Sequence, residues 1–269
     1  MAMQLRIICA LVVLFAATLV AIEAKEESSH GGHAWHWGYD HNGPEAWKEH
    51  YAACNGKRQS PINIGTSAAL TTRDVLKLRY RPTSGLRVIN NGHTIEVLGD
   101  KFKKKNFAKF RGKKYNLLQF HFHHNSENTL NGKQYPLEMH LVHQSDDGQF
   151  LVVGQFFKYG KGRSLLDRLN WNEIEVGKTG RDFQRKVDPR QLLAKNPKFY
   201  SFSGSFTTPP CTEGVTWIMM RRILTVSKAE IKSFPFGNNF RPVMKNNQRV
   251  VHRGRGRYIG RRRTGRSRR

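Results

Sequence analysis

Between Ile62 and about Val226 the chain alternates apolar and polar residues in short runs broken by Gly, Asn, Asp and Pro. Stretches 86–97, 115–124, 137–143, 150–157 and 216–226 all follow this period of two. Such alternation, with turn residues at these intervals, predicts strands of a large β-sheet. Helical signals are few. One covers 162–169; another covers 227–233, where Ser227 and Glu230 form a capping box. No internal repeat and no long linker divides the core.

Within this pattern lies Gln119-Phe120-His121-Phe122-His123. Residues two apart on a strand face the same way, so His121 and His123 project beside Gln119 while Phe120 and Phe122 enter the opposite, apolar side. The run Glu138-Met139-His140-Leu141-Val142-His143 alternates likewise, with Glu138, His140 and Val142 on one face. The intervening stretch 125–136 is rich in turn formers, and antiparallel pairing of the two strands brings His140 to His121 and His123. Three imidazoles with an open fourth position suit a catalytic zinc site rather than a structural one closed by four protein ligands. Gln119 and Glu138 are placed to accept hydrogen bonds from the outer ring nitrogens of such histidines. His124 and His143 fall on the opposite phase and read as packing or surface residues. Ligand types alone leave another divalent metal open.

The N-terminus reads as an address. Arg6 precedes an apolar run from Ile7 to Ile22, followed by Glu23, Ala24 and a charged stretch from Lys25. This is the pattern of a secretory signal peptide over 1–24. The run is shorter than the roughly 20 residues that comfortably span a bilayer, an uncleaved anchor being the alternative. No second apolar segment exists, so no transmembrane span is expected in the mature chain, which is read as secreted. Of three cysteines, Cys9 falls in the signal, leaving Cys54 and Cys211 as an even pair in an oxidising compartment. A disulfide is the natural reading, two separate buried thiols the alternative.

Charge is lopsided, with 46 Lys and Arg against 20 Asp and Glu. Segment 101–114 holds eight basic residues between aromatics, and 253–269 holds nine Arg among Gly, Ser and Thr. The latter is too polar to bury a core and is expected to be a disordered tail, bounding a domain over 25–252. Arg pairs bidentately with oxyanions, so the tail suits acidic extracellular matrix or sulfated polysaccharide. No nucleic-acid motif is present, and no nucleic-acid partner is expected.

Five segments, in order and at matching spacings, resemble the alpha-carbonic anhydrases: Trp37-Gly38-Tyr39 with His41-Asn42-Gly43-Pro44, Gln59-Ser60-Pro61-Ile62-Asn63-Ile64, the two histidine strands, and Thr207-Thr208-Pro209-Pro210 with Val215-Thr216-Trp217-Ile218. Asn239-Phe240-Arg241-Pro242 is also similar to that family. The resemblance implies a mainly β (α+β) single domain around a twisted, mostly antiparallel ten-stranded sheet with a few short peripheral helices. It implies Zn2+ on His121, His123 and His140, and reversible hydration of carbon dioxide to bicarbonate and a proton. Thr207 takes the place of the hydroxyl that accepts a hydrogen bond from the attacking hydroxide and passes its own proton to an ionised Glu127. His93 resembles the proton shuttle. Val142, Val152, Phe206, Thr208 and Trp217 would line the carbon dioxide pocket, and Cys54 and Cys211 occupy positions bridged in secreted members.

Two departures stand out. Phe206 replaces the usual Leu, which is expected to slow turnover, and His124-Asn125 replaces the usual Trp-Gly, which removes a packing ring near the site. The alternative function is a catalytically weak or silent relative that binds matrix or polyanion. Support for carbonate mineral formation is a further expectation of an anchored, secreted enzyme.

Overall fold

Two central strands bury both faces, so the polar residues of their alternating runs are enclosed along with the apolar ones. In the computed structural model, which describes residues 35–162, 166, 169–178 and 186–260, β8 (Leu137–Ser145) and β9 (Phe150–Tyr159) are buried along almost their whole length. By backbone proximity the chain divides into Met1–His36 and Trp37–Arg269, and every element below belongs to the second unit. The expected signal peptide lies outside the described residues, as do 25–34 of the expected domain.

Among the described residues eleven strands form the main sheet, one more than expected. Besides β8 and β9 they are β2 (Leu70–Arg79), β3 (Arg87–Asn90), β4 (Ile95–Leu98), β5 (Phe107–Phe110), β6 (Lys113–His123), β10 (Lys198–Ser205), β11 (Glu213–Met220), β12 (Leu224–Val226) and β13 (His252–Tyr258). The short strands β1 (Asn63–Ile64) and β7 (Thr129–Leu130) pair separately in parallel. Most pairings in the main sheet are antiparallel; β9 with β11, β9 with β12, and β2 with β13 are parallel. Because β8 pairs with both β6 and β9, the pairings β9-β8-β6-β5-β2-β13-β10-β11 return to β9. Alternation then sorts the core into two clusters. Phe120, Phe122, Leu141, Val153 and Ile218 join one, while Val142, Val152, Trp217 and Met219 join the other.

Two expectations change. Stretch 86–97 is not one strand but the hairpin β3–β4. The Asn91 side chain accepts from the backbone N–H groups of His93 and Thr94, and Gly92 takes φ +85, so the chain reverses there and presents His93 on the turn. Basic segment 101–114 is ordered as the short helix α2 (Lys101–Lys105), β5 and the start of β6, α1 being Trp47–His50.

The second concerns the tail. Residues 253–258 belong to β13, hydrogen-bonded between β10 and β2 in the interior of the sheet. The physical reason is a period-two pattern hidden in an Arg/Gly composition: the arginines face out and the glycines face in. A Cβ on Gly254 would stand 2.5 Å from the Phe199 ring, and one on Gly256 would stand 2.7 Å from the Leu76 carbonyl oxygen. Glycine therefore marks close strand packing here, not looseness. The domain runs past 252, and only 261–269 of the expected tail lie outside the described residues.

The capping box at α3 (Lys228–Lys232) forms as expected, and Leu166 and Leu169 of the expected helix 162–169 are helical and buried. Among the described residues no helix is long and apolar enough to cross a membrane.

Candidate metal centre

Register alone assembles the site. His121 on β6 lies directly opposite His140 on β8, and His123 lies opposite Glu138. One step along, Gln119, Val142, Val152 and Trp217 form a row across β6, β8, β9 and β11. Residues directly opposite one another share a face, so the three histidines and the apolar row project together.

Each ring is oriented from behind. His121 Nδ1 lies 2.9 Å from Gln119 Oε1, His123 Nδ1 2.7 Å from the Asn239 carbonyl, and His140 Nε2 2.7 Å from Glu138 Oε1. These oxygens accept, so each named nitrogen carries the proton, and Nε2, Nε2 and Nδ1 respectively remain as lone-pair donors. The three facing nitrogens lie within 4.8 Å of one another. His123 Nε2 is buried and makes no hydrogen bond, and stands 3.4 Å from Glu127 Oε2. An orphaned imidazole nitrogen converging with two others fits a cation of zinc's type. Burial lowers the pKa of all three rings, most strongly at His121 and His140, and keeps them neutral as a metal requires.

The two carboxylates differ in role. Glu138 accepts from His140 and twice from Asn128, at 2.9 and 2.8 Å; burial pushes its pKa up to about 7 against those bonds. Glu127 is also buried and pushed well above the usual carboxylate range, opposed by hydrogen bonds from the Arg241 backbone and the Thr207 side chain. Its expected ionised state therefore depends on positive charge at the three-histidine centre.

The remaining expected residues fall as follows. Thr207 is buried and Thr208 half-buried after β10; the Thr208 carbonyl accepts from the N–H of Cys211, which is bridged to Cys54. Trp217 packs edge-on to His140 at 4.8 Å, and its Nε1 donates to the Ser205 carbonyl. Phe206 is half-buried, with its ring 4.8 Å from Phe150. The imidazole of His93 is stacked on Trp37 at 3.6 Å. As expected, His143 is a packing residue, held between Tyr80 and the Leu151 carbonyl. His124-Asn125 replaces lost ring packing with hydrogen bonds: His124 N–H to Asn239 Oδ1, His124 Nδ1 to the Gly237 carbonyl, and Asn125 to Asn238.

Sequence reasoning assigned no role to Asn239 and Arg241. Beyond its carbonyl, Asn239 donates through Nδ2 to the carbonyls of His93 and Phe122. Arg241, 2% exposed, donates to Gln59 Oε1 and to the carbonyls of Ser60 and Cys54, while its backbone N–H holds Glu127 Oε1 at 3.0 Å. A buried arginine whose two terminal nitrogens are both hydrogen-bonded is unusual, and in the sequence only the motif Asn239-Phe240-Arg241-Pro242 pointed to it.

Residues 42–259 match the family model described as eukaryotic-type carbonic anhydrase. A carbonic anhydrase of Neisseria gonorrhoeae is 38% identical over 246 residues, 88% of this chain and 95% of that protein. The solved structure of the alpha-carbonic anhydrase from Thermovibrio ammonificans with the inhibitor sulfanilamide is 38% identical, with a TM-score of 0.74, covering 81% of this chain and 98% of that one. Dioscorin complexed with ascorbate shares the fold at 30% identity and TM-score 0.74, covering 82% and 99%. With the three-histidine centre in place on this sheet, the chain belongs to the alpha-carbonic anhydrases, zinc enzymes that hydrate carbon dioxide.

Proposed function

We propose that His121, His123 and His140 hold the zinc and that the apolar row Val142–Val152–Trp217, with Phe206 and Thr208, receives carbon dioxide. The observation that carries this reading is the convergence of three neutral imidazoles, each oriented by its own acceptor behind it. Zinc, when bound, supplies Lewis acidity that makes hydroxide available at neutral pH. Thr207 accepts a hydrogen bond from that nucleophile and donates its own proton to Glu127, which fixes the direction of attack. Arg241 holds Glu127 in place through its backbone N–H. His93, on the β3–β4 turn, carries the product proton to solvent, a relay that an imidazole can perform because one ring nitrogen takes a proton while the other gives one up.

The setting we infer is extracellular. It is supported by the Cys54–Cys211 bridge and by the apolar run after Arg6. There the basic chain, through its Arg-rich C-terminal residues, is held to acidic matrix or sulfated polysaccharide and supplies bicarbonate for carbonate mineral. The deciding experiment quantifies zinc in the protein freed of its signal and follows carbon dioxide hydration by stopped flow with and without a sulfonamide. One zinc per chain with inhibitable hydration is expected. Zinc without hydration would assign the chain to the silent, matrix-binding alternative.

A further inference from the structure

Four cations stand in one row across the sheet. Arg257 on β13 lies opposite Lys77 on β2, Lys77 opposite Lys109 on β5, and Lys109 opposite Lys114 on β6. Strand spacing makes this row about 14 Å long. Among the described residues none of the four pairs with a carboxylate; the acids nearby are already engaged, Asp74 by Arg111 and Asp147 by Lys113. Like charges directly opposite one another are unfavourable in a free sheet, and among the described residues no carboxylate offsets the row. We propose that the outer face of β13-β2-β5-β6 is a binding site for a linear sulfated polysaccharide, with this cation row as its axis.

This deepens the anchoring reading by moving the contact from the C-terminal residues 261–269 onto the folded sheet, and it rests on the polyanion part of that reading, not on catalysis. Three observations choose the ligand class. The row runs through strands paired on both sides, so an acidic peptide cannot add a strand there and gains no main-chain bonds. The aromatic on this face, Phe107, is covered by Arg79, Lys109 and Lys114 at 5.3–5.9 Å and is 9% exposed, leaving no platform on which bases stack. The Cys54–Cys211 bridge belongs to a compartment where dense linear polyanions are sulfated sugars rather than nucleic acid.

The test uses the full chain and three variants, with heparin as the probe. One replaces Lys77, Lys109, Lys114 and Arg257 by Gln; a second replaces Lys57, Lys195, Lys228 and Lys245 by Gln, an equal charge loss at exposed positions elsewhere; a third replaces the six arginines of 261–269 by Ser. Hydration activity and the circular dichroism spectrum check that each is folded. The row variant is expected to lose at least about tenfold in affinity at physiological salt, with its salt slope reduced by about 3. The other two should stay within about threefold of the parent. Equal losses in the row and control variants would reduce the effect to net charge and overturn the proposal. Loss confined to the third variant would overturn it while keeping the anchoring reading, and no heparin binding by any form would remove both. Tighter binding of poly-aspartate or single-stranded DNA than of heparin at matched salt would overturn the ligand class.

Discussion

The main-chain carbonyl of Asn239 accepts the Nδ1 proton of His123 at 2.7 Å, while the Asn239 side chain ties together His93, Phe122 and His124. One residue thus sets a metal ligand and the turn that carries the proposed shuttle. Replacing Asn239 by Ala leaves the carbonyl but deletes three side-chain hydrogen bonds, and is expected to cost about 2–3 kcal/mol of stability. Zinc affinity should fall by about tenfold or more. Denaturant titration and competition with a chelator measure the two. Unchanged zinc affinity would show that the 237–241 segment does not position His123.

The ring of Phe206 leans on Phe150 beside the apolar row. Phe206→Leu opens space where carbon dioxide is proposed to sit and is expected to raise kcat/KM for hydration by about twofold to tenfold. Stopped-flow hydration decides it; a variant no faster than the parent means the larger ring does not obstruct the pocket.

Buried His143 accepts from the Tyr80 hydroxyl through Nε2 and donates to the Leu151 carbonyl through Nδ1, and burial depresses its pKa to about 4. The unfolded chain takes up this proton near pH 6.5 and the folded protein only near 4. Stability contributed by the neutral ring is therefore complete above about pH 6.5 and declines as pH falls toward 4, by up to about 3 kcal/mol. In His143→Gln the slope of unfolding free energy against pH between 4.5 and 6.5 should be smaller by close to one proton. An unaltered slope would place the acid sensitivity elsewhere.

The Cys54–Cys211 bridge spans 157 positions of sequence and joins the Thr207-Thr208 loop to the backbone beneath Arg241. Its removal by Cys54→Ser with Cys211→Ser is expected to cost about 2–5 kcal/mol. Thermal melts with and without reductant should show the same loss in the parent and none in the double variant. A reductant-insensitive parent would indicate that the thiols are not bridged in solution.

What the sequence disclosed, and what it concealed, divides along physical lines. His121, His123 and His140 were legible because strand periodicity places them without knowledge of anything distant. The hydrogen-bond partners Gln119 and Glu138 were legible for the same reason, each lying two residues from its histidine. Asn239 and Arg241 were not: both act on residues more than a hundred positions away, Asn239 on His123 and Arg241 on Glu127 through backbone groups that no side-chain pattern announces. The hairpin at Asn91-Gly92 was run together with its strands because apolar residues continue on both sides of it. β13 escaped because its inward face is glycine, so its alternation carries no hydrophobic signal, and its arginines resemble those of 261–269.

That strand has a consequence for how the molecule comes together. β2 and β10 share no hydrogen bonds with each other; each meets the other only through β13, which follows them in the chain. Before β13 inserts, both present unsatisfied edges, and such edges recruit neighbouring chains. Closure must wait for a segment about 50 residues beyond β10 and about 170 beyond β2, the kind of distant pairing that slows assembly. Arg253, Arg255 and Arg257 make the late arrival mutually repulsive between molecules, so the segment that seals the sheet is also poorly suited to sealing a neighbour's.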